Sequence, residues 1–508
     1  MLTNAFHNLR AATVLVFFAP ALLAADDSLF EVQDIGLDLN VTHPVLVADI
    51  LPTAGQELIV AGIDKQQQTT IAILASSDDN ALYQVVDQFT VSNDIFAFDV
   101  GDTESSAQQS LYFLGREQIW QYQLTDENNI SRFLPLQTVN SVYVAEYADY
   151  LLQQDFARDI NHDGLDDFIL PHFEHTNLWL SSCCQQRHLQ QLPVRPHLKV
   201  NNNGVSFSFS KLYFTDTNQD QKQDIVWVNA GQLEIFHQRL HGQFEESAQL
   251  LAINPNIHGI NWWDKLDADG QTLDQSQLRH KVVEQIQDIN NDGIPDMVVR
   301  FTKSTGVLDK INDYELYLGQ LKEGQWQLLA TPNSVLQSDE TLSGLQIVDL
   351  QDDGRFELLV SRLDLGLTQI ISALLAGSID QEMLLYSLDE QGQIQQDPMT
   401  SQDVEITFSL SRGRSGEPMV KILEINGDGH KDIVLSSGSD NIKIFYATPQ
   451  DKRPFARRSQ SFKIALPANA KDIAATDING DGKTDLILHY GRLDTPSLLN
   501  HIKILRKR

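Results

Sequence analysis

A short acidic phrase recurs six times along this 508-residue chain, and no other feature constrains the fold as strongly. Every copy has oxygen-bearing side chains at positions 1, 3, 5 and 9, and five of the six have Gly at position 6. Glycine supplies the positive φ that a sharp turn needs, so the odd positions can turn inward together. The copies are DINHDGLDD at 159–167, DTNQDQKQD at 216–224, DINNDGIPD at 288–296, DLQDDGRFE at 349–357, EINGDGHKD at 424–432 and DINGDGKTD at 477–485.

Each acidic phrase lies between two segments that resemble β-strands. FILP, MVVR, IVLS and LILH follow four of the copies, and LYFT, LQIV and VKIL precede three. Short runs rich in β-branched residues indicate strands, so the phrase is predicted to be a hairpin loop. An EF-hand loop begins similarly but has helices on both sides and Glu at position 12. Here position 12 is Leu170, Val299, Leu435 or Leu488.

Two weaker copies extend the repeat upstream. Residues 47–62 keep Asp49 and Glu57 but have Leu51 where an oxygen is expected, and residues 97–115 keep Asp99 in a longer loop. With these copies the eight units begin at 49, 99, 159, 216, 288, 349, 424 and 477, a mean period of about 61 residues. Four short strands per unit at this period are typical of a propeller blade or a β-solenoid.

The two ends of the chain favour a closed ring over a solenoid. After the last loop only LILHY and HIKILRKR remain, one strand short of a complete unit, and residues 28–39 offer a strand before the first unit. Sharing the last blade between the termini would remove the free sheet edges. We therefore predict a single eight-bladed all-β propeller over 26–508, closed by strand 28–39, with a short helical insertion at 367–379. Seven blades would result if residues 97–115 were an insertion.

The first 25 residues have the layout of a secretory signal peptide. Arg10 precedes the apolar run 11–24, and small residues around Ala24 and Ala25 follow. We expect an exported protein, periplasmic or extracellular, and no other stretch is long and apolar enough to cross a membrane. The only two cysteines, Cys183 and Cys184, are adjacent and provide no disulfide framework.

The chain is strongly acidic, with 69 Asp and Glu against 37 Lys and Arg and a formal net charge of −32. Such a surface repels nucleic acid and anionic lipid, so neither is an expected partner. The acidity suits cation binding or simply keeps the protein in solution, and we expect a monomer. Carboxylate and amide oxygens on a flexible loop, with the backbone carbonyl of position 7, are the donors that Ca²⁺ prefers. Six divalent ions would change the net charge from −32 to −20.

The loops resemble the calcium-binding repeats of the FG-GAP/VCBS family, which is related to the N-terminal propeller of integrin α subunits. The resemblance implies up to six Ca²⁺ ions, each bound by positions 1, 3, 5, 7 (carbonyl) and 9 of one loop. The implied ligands are Asp159, Asn161, Asp163, Leu165 and Asp167; Asp216, Asn218, Asp220, Lys222 and Asp224; Asp288, Asn290, Asp292, Ile294 and Asp296; Asp349, Gln351, Asp353, Arg355 and Glu357; Glu424, Asn426, Asp428, His430 and Asp432; and Asp477, Asn479, Asp481, Lys483 and Asp485.

The resemblance further implies that ligands bind the face opposite the ion loops. In the segment 254–275, Trp262 and Trp263 could stack on a sugar, anchor a protein partner, or pack the segment onto the ring. In the segment 411–418, Arg412 and Arg414 could receive a carboxylate or belong to a solvated turn.

Two classes of function fit these features. The first is a calcium-binding scaffold that binds a protein or glycan at the cell envelope; it is favoured because no HExxH or nucleophile-elbow motif occurs. The second is a polysaccharide-active, lyase-like enzyme, which would draw on Arg412, Arg414, His172 and His175. His172 and His175 suit a transition metal or acid–base work, or have no role.

Overall fold

A computed structural model describes residues 29–508, except for 54, 77–81, 102–107, 125–130, 141–150, 183–186, 202–203, 209, 266–272, 305–309, 364–377, 390, 410–413 and 450–452. The predicted signal peptide, Cys183, Cys184, Arg412 and most of the predicted helical insertion therefore lie outside the described residues. Within them there is no α-helix, and residues 378–379, where that insertion was expected to end, begin a strand.

The strands of the first half of the chain are short and separated by turns. In chain order they are Phe30–Gly36 (β1), Leu39–Val41 (β2), Leu46–Ala48 (β3), Glu57–Asp64 (β4), Thr69–Ala75 (β5), Gln84–Thr90 (β6), Ile95–Val100 (β7), Leu111–Gly115 (β8), Gln118–Tyr122 (β9), Phe133–Thr138 (β10), Leu152–Gln153 (β11), Ala157–Arg158 (β12), Asp167–Pro171 (β13), Thr176–Ser181 (β14), Arg187–Leu192 (β15), His197–Asn201 (β16), Gly204–Ser208 (β17), Leu212–Thr215 (β18), Asp224–Asn229 (β19) and Gln232–Phe236 (β20).

The second half continues the pattern with some longer strands. They are Gln249–Ala252 (β21), Ile257–His258 (β22), Arg279–Gln287 (β23), Asp296–Ser304 (β24), Lys310–Tyr317 (β25), Gly319–Lys322 (β26), Gln325–Leu328 (β27), Ser334–Leu336 (β28), Thr341–Val348 (β29), Glu357–Leu363 (β30), Ser378–Tyr386 (β31), Thr400–Ser409 (β32), Arg414–Ser415 (β33), Val420–Leu423 (β34), Asp432–Ser436 (β35), Asn441–Phe445 (β36), Gln460–Lys463 (β37), Ile473–Thr476 (β38), Asp485–His489 (β39) and His501–Lys507 (β40). Ala470–Asp472 and Pro496–Leu498 are 3-10 turns.

The strands form eight blades. Blade 1 contains β2–β6, blade 2 β7–β11, blade 3 β12–β15, blade 4 β18–β21, blade 5 β22–β25 with β28, blade 6 β29–β33, blade 7 β34–β37, and blade 8 β38–β40 with β1. Two ribbons, β16–β17 and β26–β27, stand outside the blades. The eight-bladed all-β prediction is confirmed. The seven-bladed alternative was wrong, because β7 and β8 from the 97–115 unit form part of a separate blade.

Packing between neighbouring blades holds the ring together. The described residues contain eight hydrophobic clusters, and each is built from two adjacent blades, including blade 8 with blade 1. The second strand of a blade lies between two such clusters, so its sequence is a continuous apolar run. All five residues of β35 and of β39 are buried, whereas the outer strand β15 alternates between buried and exposed residues.

The two ends of the described chain meet in blade 8. β1 pairs antiparallel with β40 from Phe30 opposite Lys507 to Gly36 opposite His501, and forms the outer strand of that blade. Phe30 is buried and its ring meets that of Phe462 from blade 7 edge-on at 5.1 Å. The outer strand therefore also contributes to the core between blades 7 and 8. Within the described residues, no helix is long and apolar enough to cross a membrane.

Candidate functional site

The six acidic loops share one position in the fold. In five blades the loop joins the first strand to the second, as the loop between β12 and β13 does in blade 3. In blade 5 it joins β23 to β24, because the two-residue strand β22 precedes this pair. Because the blades are arranged in the same sense around the ring, the loops lie on one face. The connections from one blade to the next lie at the other ends of the strands, on the opposite face.

Two left-handed residues shape each loop. Position 6 has a positive φ in all six loops, for example 85° at Gly164, and Gln221 adopts 65° at the same position. Position 4 also has a positive φ, as at His162 (57°) and Asn291 (61°). Glycine adopts this region without a steric penalty, whereas other residues are uncommon there. The positive φ that the turn requires therefore explains the repeated Gly at position 6.

Side-chain oxygens of positions 1, 3 and 5 accept backbone N–H groups within the same loop. Asp159 accepts from the N–H of Asp163 (3.0 Å) and of Gly164 (2.8 Å). Asn161 Oδ1 also accepts from the Asp163 N–H at 3.0 Å, and Asp163 Oδ1 accepts from Leu165 at 3.0 Å. These bonds hold the three side chains around one tight turn. In the 424–432 loop, Glu424 instead accepts from residues 426 and 427.

The carboxylate at position 9 is buried and ties the loop to its blade. Asp167 accepts from the N–H of Ile160 (3.2 Å) at the start of the loop and of Ser181 (2.6 Å) at the end of β14. The same two-sided arrangement recurs at Asp296, with donors Ile289 (3.1 Å) and Gly319 (2.8 Å), and at Asp432, with donors Ile425 (3.4 Å) and Ala447 (2.7 Å). Position 9 thus supports the hairpin whether or not an ion is bound.

Burial disfavours the ionised form of these position 9 carboxylates when no cation is bound. It raises the pKa of Asp167 to about 8, that of Asp296 to about 7, and those of Asp432 and Asp485 to about 6. The carboxylates at positions 1 and 5 of the same loop raise these pKa values further. Burial likewise raises the pKa of Glu357. A buried acid among other acids is an electrostatic environment that a bound cation would relieve.

The donor set of the loops suits Ca²⁺, since it consists of hard carboxylate and amide oxygens. In addition, Glu424 Oε2 is buried without a hydrogen-bond partner in the described structure. No three His, Cys, Asp or Glu side chains of the described residues are arranged to hold a metal ion. In three loops the amide of position 3 donates to the carboxylate of position 5, as Asn290 does to Asp292 at 3.1 Å. Ion binding would require these amides to turn their oxygens inward.

The 216–224 loop differs from the others in its electrostatics. Its position 9 residue, Asp224, lies 2.9 Å from His237 Nδ1 and accepts the hydroxyl of Thr217. Although burial acts to raise it, these two partners hold the pKa of Asp224 below its ordinary value. At position 7, the Lys222 ammonium lies 2.8 Å from Asp220 Oδ2. Sequence reasoning missed His237, which is 13 residues beyond the loop.

In the two upstream units, the carboxylates accept hydrogen bonds from backbone N–H groups. Glu57 accepts from the N–H groups of Ile50 (2.8 Å) and Leu51 (3.0 Å), and the Leu51 side chain is buried in the core. Asp99 accepts from two backbone N–H groups at residues 156 and 157, leading into blade 3 (2.6 and 2.8 Å), and burial raises its pKa to about 7. Glu57 therefore acts as the position 9 carboxylates of the acidic loops do, whereas Asp99 binds the backbone that leads into the next blade.

Neighbouring loops contact each other along one face from blade 4 to blade 8. We call this set of contacts the loop belt. Its bonds are Gln219 Nε2 to Gly293 O (3.2 Å), Asn291 Nδ2 to Asp353 O (3.0 Å), Lys431 Nζ to Asp349 O, and Thr484 N to Glu424 O (2.7 Å). A change in one loop can therefore be transmitted to the next blade through direct hydrogen bonds.

The opposite face presents an aromatic and cationic surface at blade 5, called here the Trp surface. Trp262 and Trp263 meet edge-on, with ring centroids 5.3 Å apart and planes at 83°. The guanidinium of Arg300 lies 5.5 Å from the Trp263 ring, and the ammonium of Lys310 lies 5.3 Å from the Trp262 ring. Trp263 remains 47% exposed. Arg300 is held in place by Glu284 and by Asn261 Oδ1 at 2.5 Å.

Comparison with protein families agrees with the loop geometry. Residues 425–488, which run from the blade 7 loop through the blade 8 loop, match the family described as FG-GAP-like repeat. The chain is a β-propeller with an FG-GAP-like repeat. No curated protein sequence matches it.

Solved structures similar to this chain include a lectin and a biofilm matrix protein. A lectin of Agrocybe aegerita, described as recognising non-reducing terminal N-acetylglucosamine, is 11% identical; the match covers 86% of this chain and 90% of the lectin, with a TM-score of 0.34. The biofilm matrix protein Bap1 of V. cholerae is 10% identical, covering 95% of this chain and 91% of Bap1, with a TM-score of 0.33. At such identities and TM-scores, no ligand or activity carries over to this chain.

Two histidines and one lysine form a second polar group in blade 5. The rings of His258 and His280 stack at 4.9 Å, and Lys265 Nζ lies 3.0 Å from His258 Nε2. Burial and the Lys265 charge lower the pKa of His258 to about 4, so this ring is neutral near pH 7. Exposed Arg279 lies over the Phe301 ring at 5.0 Å. The blade 5 surface is thus rich in cations although the whole chain is acidic.

The groups proposed for a lyase-like site come from separate blades. His172 and His175 stack at 4.5 Å in the turn between β13 and β14 of blade 3, and burial lowers the pKa of His175. Arg414 begins β33 of blade 6. Blades 3 and 6 are not neighbours in the ring, and Arg412 and the side chain of Arg414 lie outside the described part of the structure.

Proposed function

We propose that this FG-GAP-like propeller is an exported, calcium-binding scaffold that binds a glycan at the cell envelope through the Trp surface. The observation that carries this proposal is an exposed tryptophan flanked by cations on the face opposite the acidic loops. The two faces would then have separate tasks: the acidic loops bind Ca²⁺ and stabilise the ring, and the Trp surface binds the ligand.

The Trp surface has the chemistry of a sugar-binding platform. A tryptophan ring offers a flat apolar face that a sugar ring can cover, and its rigidity limits the entropy lost on binding. The edge-on arrangement presents two ring planes at 83° rather than one continuous plane. Lys310 adds a charged group beside the Trp262 ring, and Arg300, ion-paired with Glu284, adds positive charge beside Trp263. These positive charges favour a glycan that carries carboxylate groups, in spite of the net charge of −32.

The acidic loops fit a stabilising role for Ca²⁺. Their donors come from a single hairpin, and neighbouring hairpins are joined in the loop belt. An ion that binds only the folded protein stabilises it by mass action. For loops of this type in extracellular modules, dissociation constants of about 10⁻⁴ to 10⁻³ M are expected.

The ligand proposal is tested by glycan-array binding in millimolar Ca²⁺, followed by titration of the best glycan. Trp263→Ala should weaken that binding about tenfold, as expected for truncation of a central aromatic contact. Phe173→Ala is the matched control, since Phe173 is a 50% exposed aromatic residue on the same face in blade 3.

Equal binding by wild type and Trp263→Ala would exclude the Trp surface as the site. Binding of a protein partner through Trp263, with no glycan bound, would contradict the glycan proposal and support the protein alternative. An unsaturated product from a uronate-containing polysaccharide would instead support the lyase alternative.

A further inference from the structure

We infer that the 216–224 loop of blade 4 is closed by two side chains of the chain itself, Lys222 and His237, and binds no Ca²⁺. The inference rests on the proposed calcium binding of the other loops only for its stoichiometry. The family resemblance implies an ion here, but the residues around this loop do not fit one. The Lys222 ammonium already contacts its carboxylate at position 5, and the His237 ring contacts that at position 9.

The first internal cation is Lys222, at position 7 of the loop. Its ammonium lies 2.8 Å from Asp220 Oδ2, the carboxylate oxygen that would otherwise face an ion from position 5. Only half-exposed, this pair is less screened than a fully solvated one. At position 6, where the other five loops have Gly, Gln221 adopts φ 65°. A side chain there is strained, so the loop has kept its shape without its usual residue.

The second internal partner is His237, immediately after β20. Its Nδ1 lies 2.9 Å from Asp224 Oδ2, and its Nε2 lies 2.9 Å from Gln249 Oε1, so the ring is fixed between the two side chains. The Thr217 hydroxyl donates to the same Asp224 oxygen, and the Gln238 N–H donates to the other. Both oxygens of the fully buried Asp224 therefore already have hydrogen-bond partners from within the blade.

Three other blades have no cation at the place of His237. In blade 4, His237 immediately precedes Gln238, whose backbone N–H donates to the position 9 carboxylate. The residues that precede the corresponding donors in blades 3, 5 and 7 are Leu180, Leu318 and Tyr446, whose side chains give the carboxylate no hydrogen bond. In blade 8 the donor is Lys507 and Arg506 precedes it, but the Arg506 guanidinium contacts Gln33 and the Tyr83 ring.

The consequence is a calcium capacity of five rather than six. The blade 4 loop stays in the loop belt, because Gln219 donates to Gly293 O at 3.2 Å. It would therefore provide a fixed anchor next to the blade 5 loop that does not depend on calcium.

Counting bound ions tests this inference directly. Native mass spectrometry of the full chain in Ca²⁺ should show at most five ions for wild type. Asp220→Asn should leave the number unchanged, whereas the matched Asp163→Asn in blade 3 should lower it by one. The triple variant Gln221→Gly, Lys222→Leu, His237→Leu gives blade 4 the residues of blade 3 at these positions, and it should bind one ion more.

Each result decides the inference. Loss of one ion in Asp220→Asn, or no gain in a folded triple variant, would overturn it. If wild type binds no Ca²⁺, the proposed calcium role fails, and thermal unfolding in EDTA then decides the inference on its own. There His237→Leu should lower the melting temperature by several degrees, because the buried Asp224 loses a hydrogen-bond partner; an unchanged melting temperature would overturn the inference.

Discussion

At the scale of single residues, the carboxylate at position 9 of the acidic loop accepts backbone hydrogen bonds and is also a proposed Ca²⁺ ligand. Asp296 is fully buried and accepts from Ile289 and Gly319, so it joins the loop to two strands before any ion is considered. Asp292, at position 5 of the same loop, lies at the surface and contacts only the loop itself. The repeated carboxylates are therefore unequal in what they contribute to stability.

This difference predicts that the two variants differ in EDTA. Asp296→Ala leaves two backbone N–H groups without an acceptor and should cost about 1–3 kcal/mol for each group in EDTA, and more in Ca²⁺, where a proposed ligand is lost as well. Asp292→Asn should lower stability only in Ca²⁺. Urea unfolding of both variants in each buffer checks this, and an Asp296→Ala variant as stable as wild type in EDTA would contradict it.

The raised pKa of Asp167 predicts how stability changes with pH. Its folded-state pKa is about 8 against an ordinary 3.8, so the folded protein holds a proton that the unfolded chain has released. In EDTA, this contribution is present at low pH and is lost as pH rises through about 8. Asp167→Asn cannot titrate, so the stability of wild type relative to this variant should fall between pH 5.5 and 8.5. A relative stability that rises over this interval would contradict the raised pKa.

Residue identity in the loops could be read from the sequence, but their surroundings could not. Oxygen donors at fixed spacing and Gly at position 6 repeat visibly, because local backbone geometry demands them. His237 reaches Asp224 only because β19 and β20 pair, and a histidine 13 residues away has no repeated spacing to reveal it. Arg300 and Trp263 meet for a similar reason, through the fold of the 254–265 segment against β24.

At the scale of elements, the outer strand of a blade has one face toward a neighbouring blade and one toward solvent. β1 shows this in blade 8: Phe30 is 1% exposed and packs against blade 7, whereas Val32 is 41% exposed. The repeat predicted short strands on both sides of each loop, because a buried second strand must be apolar throughout. The ribbons β16–β17 and β26–β27 were not predicted, since they lie outside the repeating unit.

The two residues of β1 give a matched pair of variants. Phe30→Ala should cost about 3–5 kcal/mol, because it opens a cavity between blades 7 and 8 where the ends of the ring meet. Val32→Ala, at an exposed position of the same strand, should change stability by less than about 0.5 kcal/mol. Denaturant unfolding measures both. Equal, small effects would show that β1 is not part of the folded ring in solution.

At the scale of the whole molecule, eight inter-blade cores form a closed cycle. The mean period and the number of units were enough to predict eight blades, because each blade must pack against two neighbours. The division of the two faces followed from the position of the loops in each blade. The cation-rich Trp surface could not be predicted from composition, since the overall charge has the opposite sign.

Calcium-dependent thermal unfolding of the full chain tests the central claim, that the acidic loops bind Ca²⁺ in the folded ring. The melting temperature should rise by several degrees between EDTA and millimolar Ca²⁺, because each site with a dissociation constant of about 10⁻⁴ to 10⁻³ M adds about 0.4–1.4 kcal/mol at 1 mM and several sites add together. An equal concentration of Mg²⁺, which demands a smaller and more regular site, should have less effect. A melting temperature that is the same in EDTA and in Ca²⁺ would contradict the account.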